Sequence, residues 1–214
     1  MKVIQIPFEQ ISPWLKLKHY AHRIPSISYA FGLYSPELCG VVSYGTPASS
    51  TLLKGVCGSE YSQYVLELNR LVIETTEKNA ASYLVGRSIR LLPKPTIIVS
   101  YADTAQKHVG YIYQATNFIY TGLSSKFTDP KVLGMENKHH ATYAHGMNNK
   151  QLKEKFGDKL YFENRPRKHR YIYFHGCSRK VRNALKYPIF PYPKGESRRY
   201  DDSVKITKQT ILNF

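Results

Sequence analysis

Apolar and polar positions along this chain fall into short blocks whose periods predict a succession of strands and helices. Residues 2–6 read as a short strand. Residues 8 to about 22 carry Ile11, Trp14 and Leu15 at helical spacing, with Pro13 near the first turn. Residues 27–34 and 38–44 are two apolar runs joined by Ser35-Pro36-Glu37, the pattern of an antiparallel hairpin. Residues 46–58, rich in Gly, Ser, Thr and Pro, read as a long loop. Residues 64–74 (YVLELNRLVIE) form the strongest central-strand pattern. A helix over 79–92 follows, with Asn79 or Thr76 as its cap and Pro93 and Pro95 as its stop. Residues 96–101 predict the next strand, 104 to about 117 the next helix and 118–121 a further strand. From about residue 124 the chain is turn-rich, with strand-like pieces at 159–162 and 171–174 and a short basic helix at 178–185. This alternation implies an α/β (α+β) fold, a twisted mixed β-sheet with helices on both faces.

One block stands out chemically. The β-branched run Thr96-Ile97-Ile98-Val99 leads into SYADTAQKHVGYIYQATNFIY, residues 100–120. A strand ending in an acid and feeding a helix places polar groups at the carboxyl edge of a sheet, where open α/β sheets hold ligands. Asp103, His108, Tyr111, Tyr113, Gln114 and Asn117 crowd this block, which reads as the floor of an active site.

Composition changes the picture in two ways. The 214 residues are 42% hydrophobic and 13% aromatic, enough for a core, and 18 Tyr stand against 9 Phe. The net charge of +16 is uneven: residues 150–199 hold 15 basic and 4 acidic side chains, a net of +11. Aromatic residues interleave with that charge, which points to a nucleic-acid partner rather than a plain solvated face. Arg165, Arg167, Lys168, Arg170, Arg179, Lys180 and Arg182 are the candidate phosphate contacts. Cys39, Cys57 and Cys177 form no CxxC pair, so free thiols in a reducing cytoplasm are expected. No run of about 18 apolar residues predicts a membrane span, and MKVIQIPFEQ lacks the apolar region of a signal peptide.

The order strand, helix, hairpin, central strand, helix, strand, helix, strand resembles the GNAT superfamily of N-acetyltransferases. The words HY at 19–20, ELNRLVI at 67–73, KNAASYLVGRSIRLL at 78–92 and SYAD…HVGYIYQATNFIYTG resemble the Mom family of phage DNA-modification proteins more closely. The resemblance covers roughly residues 10–123, with a looser likeness in RYIYF and YPIFPYPK, so residues 1–123 read as the catalytic core. Residues 124–214 read as a basic, Tyr-rich part that completes the domain and contacts DNA. The resemblance implies conversion of adenine in DNA to N6-carbamoylmethyladenine, a protection against restriction, in the cytoplasm of a bacterial host. It also implies functional roles for His19, Tyr20, Arg70, Ser82, Asp103 and Tyr113. The cofactor stays open between an acyl-coenzyme A-like donor and iron. The superfamily's Gln/Arg-x-x-Gly-x-Gly/Ala pyrophosphate loop is replaced here by glycine-free Thr75-Thr76-Glu77-Lys78-Asn79.

The residues admit both chemical and structural roles. The adenine amine is a weak nucleophile, so attack through it requires proton removal: Asp103 can accept that proton and Tyr113 can donate to a developing charge. Asp103 can equally cap a helix, and Tyr113 can be a core aromatic. His19 and Tyr20 reach over the site or stay structural, and His19 with Asp103 offers a partial iron ligand set. Arg70 positions an anionic group or pairs with Glu67 or Glu74, and Ser82 contacts a cofactor or only the helix surface. His139, His140 and His145 read as a surface or DNA-facing loop rather than a metal site. Because a duplex hides the adenine amine, the DNA is expected to be single-stranded or to have its base flipped. The competing readings are a non-catalytic nucleic-acid-binding protein on a degenerate acetyltransferase scaffold and an acyltransferase acting on another substrate.

Overall fold

The computed structural model describes residues 1–135, 141–144 and 146–195. Nine strands appear among them: β1 (Lys2–Gln5), β2 (Tyr29–Tyr34), β3 (Leu38–Gly45), β4 (Val65–Ile73), β5 (Thr96–Asp103), β6 (Ile119–Leu123), β7 (Phe127–Val132), β8 (Leu160–Arg165) and β9 (Lys168–His175). The helices are α1 (Phe8–Leu17), α2 (Ser50–Cys57), α3 (Ala80–Leu91), α4 (Tyr111–Ala115), α5 (Ala141–Ala144), α6 (Asn149–Phe156) and α7 (Arg179–Asn183). Seven strands form one sheet in the order β1-β2-β3-β4-β5-β9-β6, while β7 and β8 form a separate ribbon. Among the described pairs only β4 and β5 run parallel. The mixed sheet expected from the alternation of periods is therefore present.

The alternation of side chains along each strand assigns the helices to faces. Ile98 and Ala102 of β5 pack with Leu84, Val85 and Ile89 of α3 in one core. Ile97 and Val99 pack with Val56 and Cys57 of α2 and Val181 of α7 in a second core on the other face. Ile11, Trp14 and Leu15 of α1 cover Ala30, Val41 and Val72. The described residues between 124 and 167 leave the sheet as an inserted lobe. Its small core joins Val132, Tyr143 and Leu152 with flanking Phe156 and Leu160.

Two irregularities prepare the site. First, β4 and β5 pair only from Val65↔Ile97 to Leu68↔Ser100. Beyond that, β4 continues along β3 to Ile73 and β5 along β9 to Asp103, so the two strands part around an opening. Second, the β3–β4 register shifts between Ser43, opposite Arg70, and Tyr44, opposite Leu68, leaving Asn69 as an extra residue. Asn69 is held by Ser43 Oγ at 2.6 Å and donates to the Ser26 carbonyl at 2.8 Å. Such a bulge resets the in-out alternation by one residue.

Four sequence expectations need correction. The 46–58 loop is largely α2, whose N-cap Ser49 accepts the Leu52 N–H; Gly55 and Thr51 had weakened its helical signal. The helix expected over 8–22 stops at Leu17, where the Lys18 and His19 amides both donate to the Trp14 carbonyl. Asn79 precedes α3 but stands at φ 63° and makes no side-chain cap hydrogen bond. The helix expected over 104–117 is broken: a 3-10 turn at Thr104–Gln106, a loop, then the short α4. Lys107 at φ 54° and Gly110 at φ 82° cause the break.

Candidate active site

Tyr113 lies in the middle of α4 with its ring 5.4 Å from Phe118 and 5.3 Å from Tyr171. Ser100, a neighbour that acts on its phenol, donates from Oγ to the Leu68 carbonyl at 3.0 Å. Burial pushes the phenol up to about 12, so Tyr113 holds its proton at neutral pH. A half-buried, protonated phenol is a suitable acid or charge-stabilising donor.

Glu67 stands on β4 below the opening. Burial raises its carboxyl, while the charges of Arg70 and Lys168 oppose that rise. The bulge at Asn69 lets Glu67 and Arg70, three residues apart, act on the same space. Arg70 is fixed by hydrogen bonds from Nη1 to the Asn69 carbonyl at 2.6 Å and from Nε to the Arg23 carbonyl at 3.4 Å. Glu67 also acts electrostatically on Tyr113. The sequence singled out Glu67 only as a partner for Arg70. Its signal was the pair of charged residues inside an apolar central strand, and the bulge that unites them is not visible in that pattern.

His19 and Tyr20 follow α1 and stack on each other with centroids 4.4 Å apart. His19 is 7% exposed. Its Nδ1 accepts the Ala21 N–H at 3.0 Å, so the neutral ring carries its proton on Nε2. Burial, then the charges of Arg70 and His22, push its pKa down to about 4. Tyr20 is 54% exposed, and its phenol is raised by burial and by the charge of Asp103. Tyr20 is the link in the cluster: it feels Asp103 and Arg70 and itself acts on Tyr113.

Asp103 is firmly engaged. Its Oδ1 accepts the Ala105 N–H at 2.9 Å, and its Oδ2 lies 3.5 Å from Lys168 Nζ. The carboxylate thus caps the 3-10 turn that leads to α4. Ser82 sits apart from this group. Its hydroxyl donates to the Asn79 carbonyl at 3.0 Å, and it lines a cleft of about 620 Å³ with Arg87, Arg90 and Asn117. None of His19, Tyr20, Arg70, Asp103 or Tyr113 lines that cleft.

Neither proposed cofactor finds a ready cradle. Among the described residues no three His, Cys, Asp or Glu side chains gather as iron ligands would. At the start of α3 the Glu77 carboxylate, hydrogen-bonded by Ser35 Oγ, would meet a pyrophosphate as an anion. His139, His140 and His145 lie outside the described residues.

The basic residues have mixed employment. Arg165 forms a two-point ion pair with Asp129 across β7 and β8. Arg167 Nε donates to the Ser124 carbonyl at 2.6 Å. Arg170 Nε donates to Thr121 Oγ1 at 2.9 Å, and its guanidinium stacks 3.3 Å from the Tyr187 ring centroid. Lys180 lies 3.6 Å from Glu60 on the surface. Arg179 and Arg182 project from the exposed side of α7.

A protein-family model described as the Mom protein family matches residues 1–194. The chain belongs to the Mom family. A curated relative, the methylcarbamoylase Mom of Escherichia phage Mu, is 31% identical over 131 residues, covering 55% of this chain and 54% of that protein. The chain thus spans about half the length of the curated Mom protein it matches. Among solved structures, an N-acetyltransferase from Staphylococcus aureus Mu50 overlaps 81% of this chain and 97% of its own, at 13% identity and a TM-score of 0.43. A putative acetyltransferase from Acinetobacter baylyi ADP1 overlaps 81% and 90%, at 13% identity and a TM-score of 0.43. Overlaps this loose add nothing to the topology itself. No helix among the described residues of this Mom family chain is long and apolar enough to cross a membrane.

Proposed function

We propose that this chain modifies adenine in DNA, transferring a carbamoylmethyl group to the N6 amine. Membership of the Mom family, with a methylcarbamoylase among its relatives, supplies the reaction class. The observation that carries the reading at the level of chemistry is that the half-buried Glu67 carboxylate, on β4 where it still pairs with β5, acts electrostatically on the protonated phenol of Tyr113.

N6 attacks the methylene carbon of an electrophilic carbamoylmethyl donor that bears a leaving group. The new C–N bond forms as the bond from methylene to leaving group breaks, and the leaving group departs with that electron pair. N6 gives up one proton. Glu67, whose raised pKa makes it a better proton acceptor than an ordinary carboxylate, takes it. Tyr113 donates its hydroxyl hydrogen bond to the charge that develops on the donor. Arg70, clamped by two backbone carbonyls, offers a fixed positive charge to the same space. Asp103 acts as a positioning residue through the turn it caps, and His19-Tyr20 close the cluster from the side of α1. The DNA strand, single or with its base flipped, lies along the basic surface of residues 150–195.

The test is mass spectrometry of nucleosides from DNA of cells expressing the full chain. N6-carbamoylmethyldeoxyadenosine is expected with the native protein and not with Tyr113→Phe. Unmodified deoxyadenosine alongside soluble native protein would overturn the reading.

A further inference from the structure

Beside Tyr113 lies a cavity of about 610 Å³ that the catalytic cluster does not fill. Its wall is the segment between the 3-10 turn and α4, and its lining includes Gln106, Lys107, His108, Tyr111 and Tyr113. The volume falls within the range of small-ligand sites, about 300–1,000 Å³.

This wall is built rather than loose. The Lys107 and His108 amides donate to the Thr104 and Asp103 carbonyls at 2.9 and 3.1 Å. The Val109 carbonyl accepts the Tyr171 hydroxyl and also the Gln114 amide, the latter at 3.2 Å. Gly110 brings the backbone against the Tyr171 ring so closely that a Cβ there would meet a ring carbon at 2.5 Å. The Tyr111 hydroxyl donates to the Gly195 carbonyl, which fixes the direction of its ring. A preformed wall spares a ligand the cost of ordering it.

We propose that this cavity receives the target adenine, with Gln106 reading the base edge and Tyr111 stacking on its face. The inference rests on the function proposed above and names where that function takes its substrate. A carboxamide is complementary to the N6 and N7 edge of adenine, accepting from the amine and donating to the ring nitrogen. That contact uses one N6 hydrogen and leaves the other to be replaced. An aromatic face supplies stacking worth about 1–3 kcal/mol per base. Lys107, on the same wall, suits the phosphate of the flipped nucleotide. Tyr113 borders both this cavity and the catalytic cluster, so a base seated here lies beside the phenol proposed to stabilise the donor's developing charge.

The experiment compares binding of oligo(dA) and oligo(dT) of equal length to the full chain at one salt concentration. The native protein should prefer oligo(dA) by about tenfold or more, the discrimination of one good bidentate contact. Gln106→Leu should bring that preference close to one while oligo(dT) affinity stays, because the backbone grip lies elsewhere. Tyr111→Ala should weaken oligo(dA), and Tyr111→Phe should restore its stacking share. Far-ultraviolet circular dichroism establishes that each variant is folded. A native protein with no preference, or a folded Gln106→Leu protein that keeps it, overturns the proposal. The same holds if Gln106→Leu abolishes modification but not the preference, since the cavity would then serve the donor. Nucleoside analysis separates the two claims: modified DNA with an unchanged preference in Gln106→Leu removes only the cavity assignment. Unmodified DNA from native protein removes the reaction.

Discussion

Glu67 and Arg70 lie three residues apart, a spacing that puts side chains on opposite faces of a regular strand. The extra residue at Asn69 cancels that separation, so a carboxylate and a guanidinium share one space. If Glu67 accepts the N6 proton, Glu67→Gln should slow modification about 10²–10⁴-fold. Its ascending pH limb should vanish with little change in DNA affinity, as measured by single-turnover rates across pH. An unchanged limb would assign proton removal to another group. His19 makes a prediction about stability. Its folded-state pKa of about 4 lies below the ordinary 6.5, so the unfolded chain takes up the proton first as pH falls. The stability it contributes is complete above about pH 6.5 and declines as pH drops towards 4. His19→Gln should flatten the fall of melting temperature over that window. A residual slope should remain from His169 and His175, which burial also lowers.

At the level of elements, the segment from Asp103 to Tyr113 carries the most information. Its acid-ended strand and its polar crowding were legible because β5 and the residues after it obey local rules of period and turn chemistry. The break inside it was less legible. Gly110 is needed less for a turn in general than for its close approach to Tyr171, a residue 61 positions further along the chain. Gly110→Ala combines a positive φ with that clash, and should cost about 1–3 kcal/mol. It should also erase the preference for oligo(dA), while thermal melting and the binding comparison read the two effects separately. The same distinction explains α2, which the sequence presents as a loop. Ser49 caps it and tertiary burial of Val56 and Cys57 holds it, although Gly55 gives it weak propensity. It also explains Asp103: a capping role and a chemical role look identical in sequence, and only the Ala105 and Lys168 contacts show how both oxygens are used.

Over the whole molecule, the net charge of +16 is concentrated in residues 150–199. Sequence alone read that concentration as a phosphate grip. The structure shows that many of these cations also brace the fold: Arg165 ties β7 to β8, Arg170 ties β9 to β6, Arg167 just before β9 holds the end of β6, and Lys168 meets Asp103. Cations that already face a carboxylate release fewer counterions on DNA than those that face water. Arg179→Ala and Arg182→Ala should therefore each reduce the slope of log K against log salt by about 0.9. Arg165→Ala should change that slope less and loosen the β7–β8 ribbon instead. Titration of the full chain with duplex DNA at several salt concentrations checks this ordering. Equal slopes for all three variants would count against it.

The placement of β9 has a consequence for how the chain becomes a protein. β5 and β6 follow each other closely, yet both pair with β9, which is made only after the whole lobe of residues 124–167. Until that strand emerges, the edges of β5 and β6 that face it have no partner, and Asp103 lacks the Lys168 ammonium. Such distant pairing delays closure of the sheet, because a long loop must be closed before its contacts repay the lost entropy. During synthesis, the strand bearing Asp103 and the helix bearing Tyr113 thus exist before the sheet that sets their geometry is complete. Chemistry in this chain waits on β9, the last strand among the described residues.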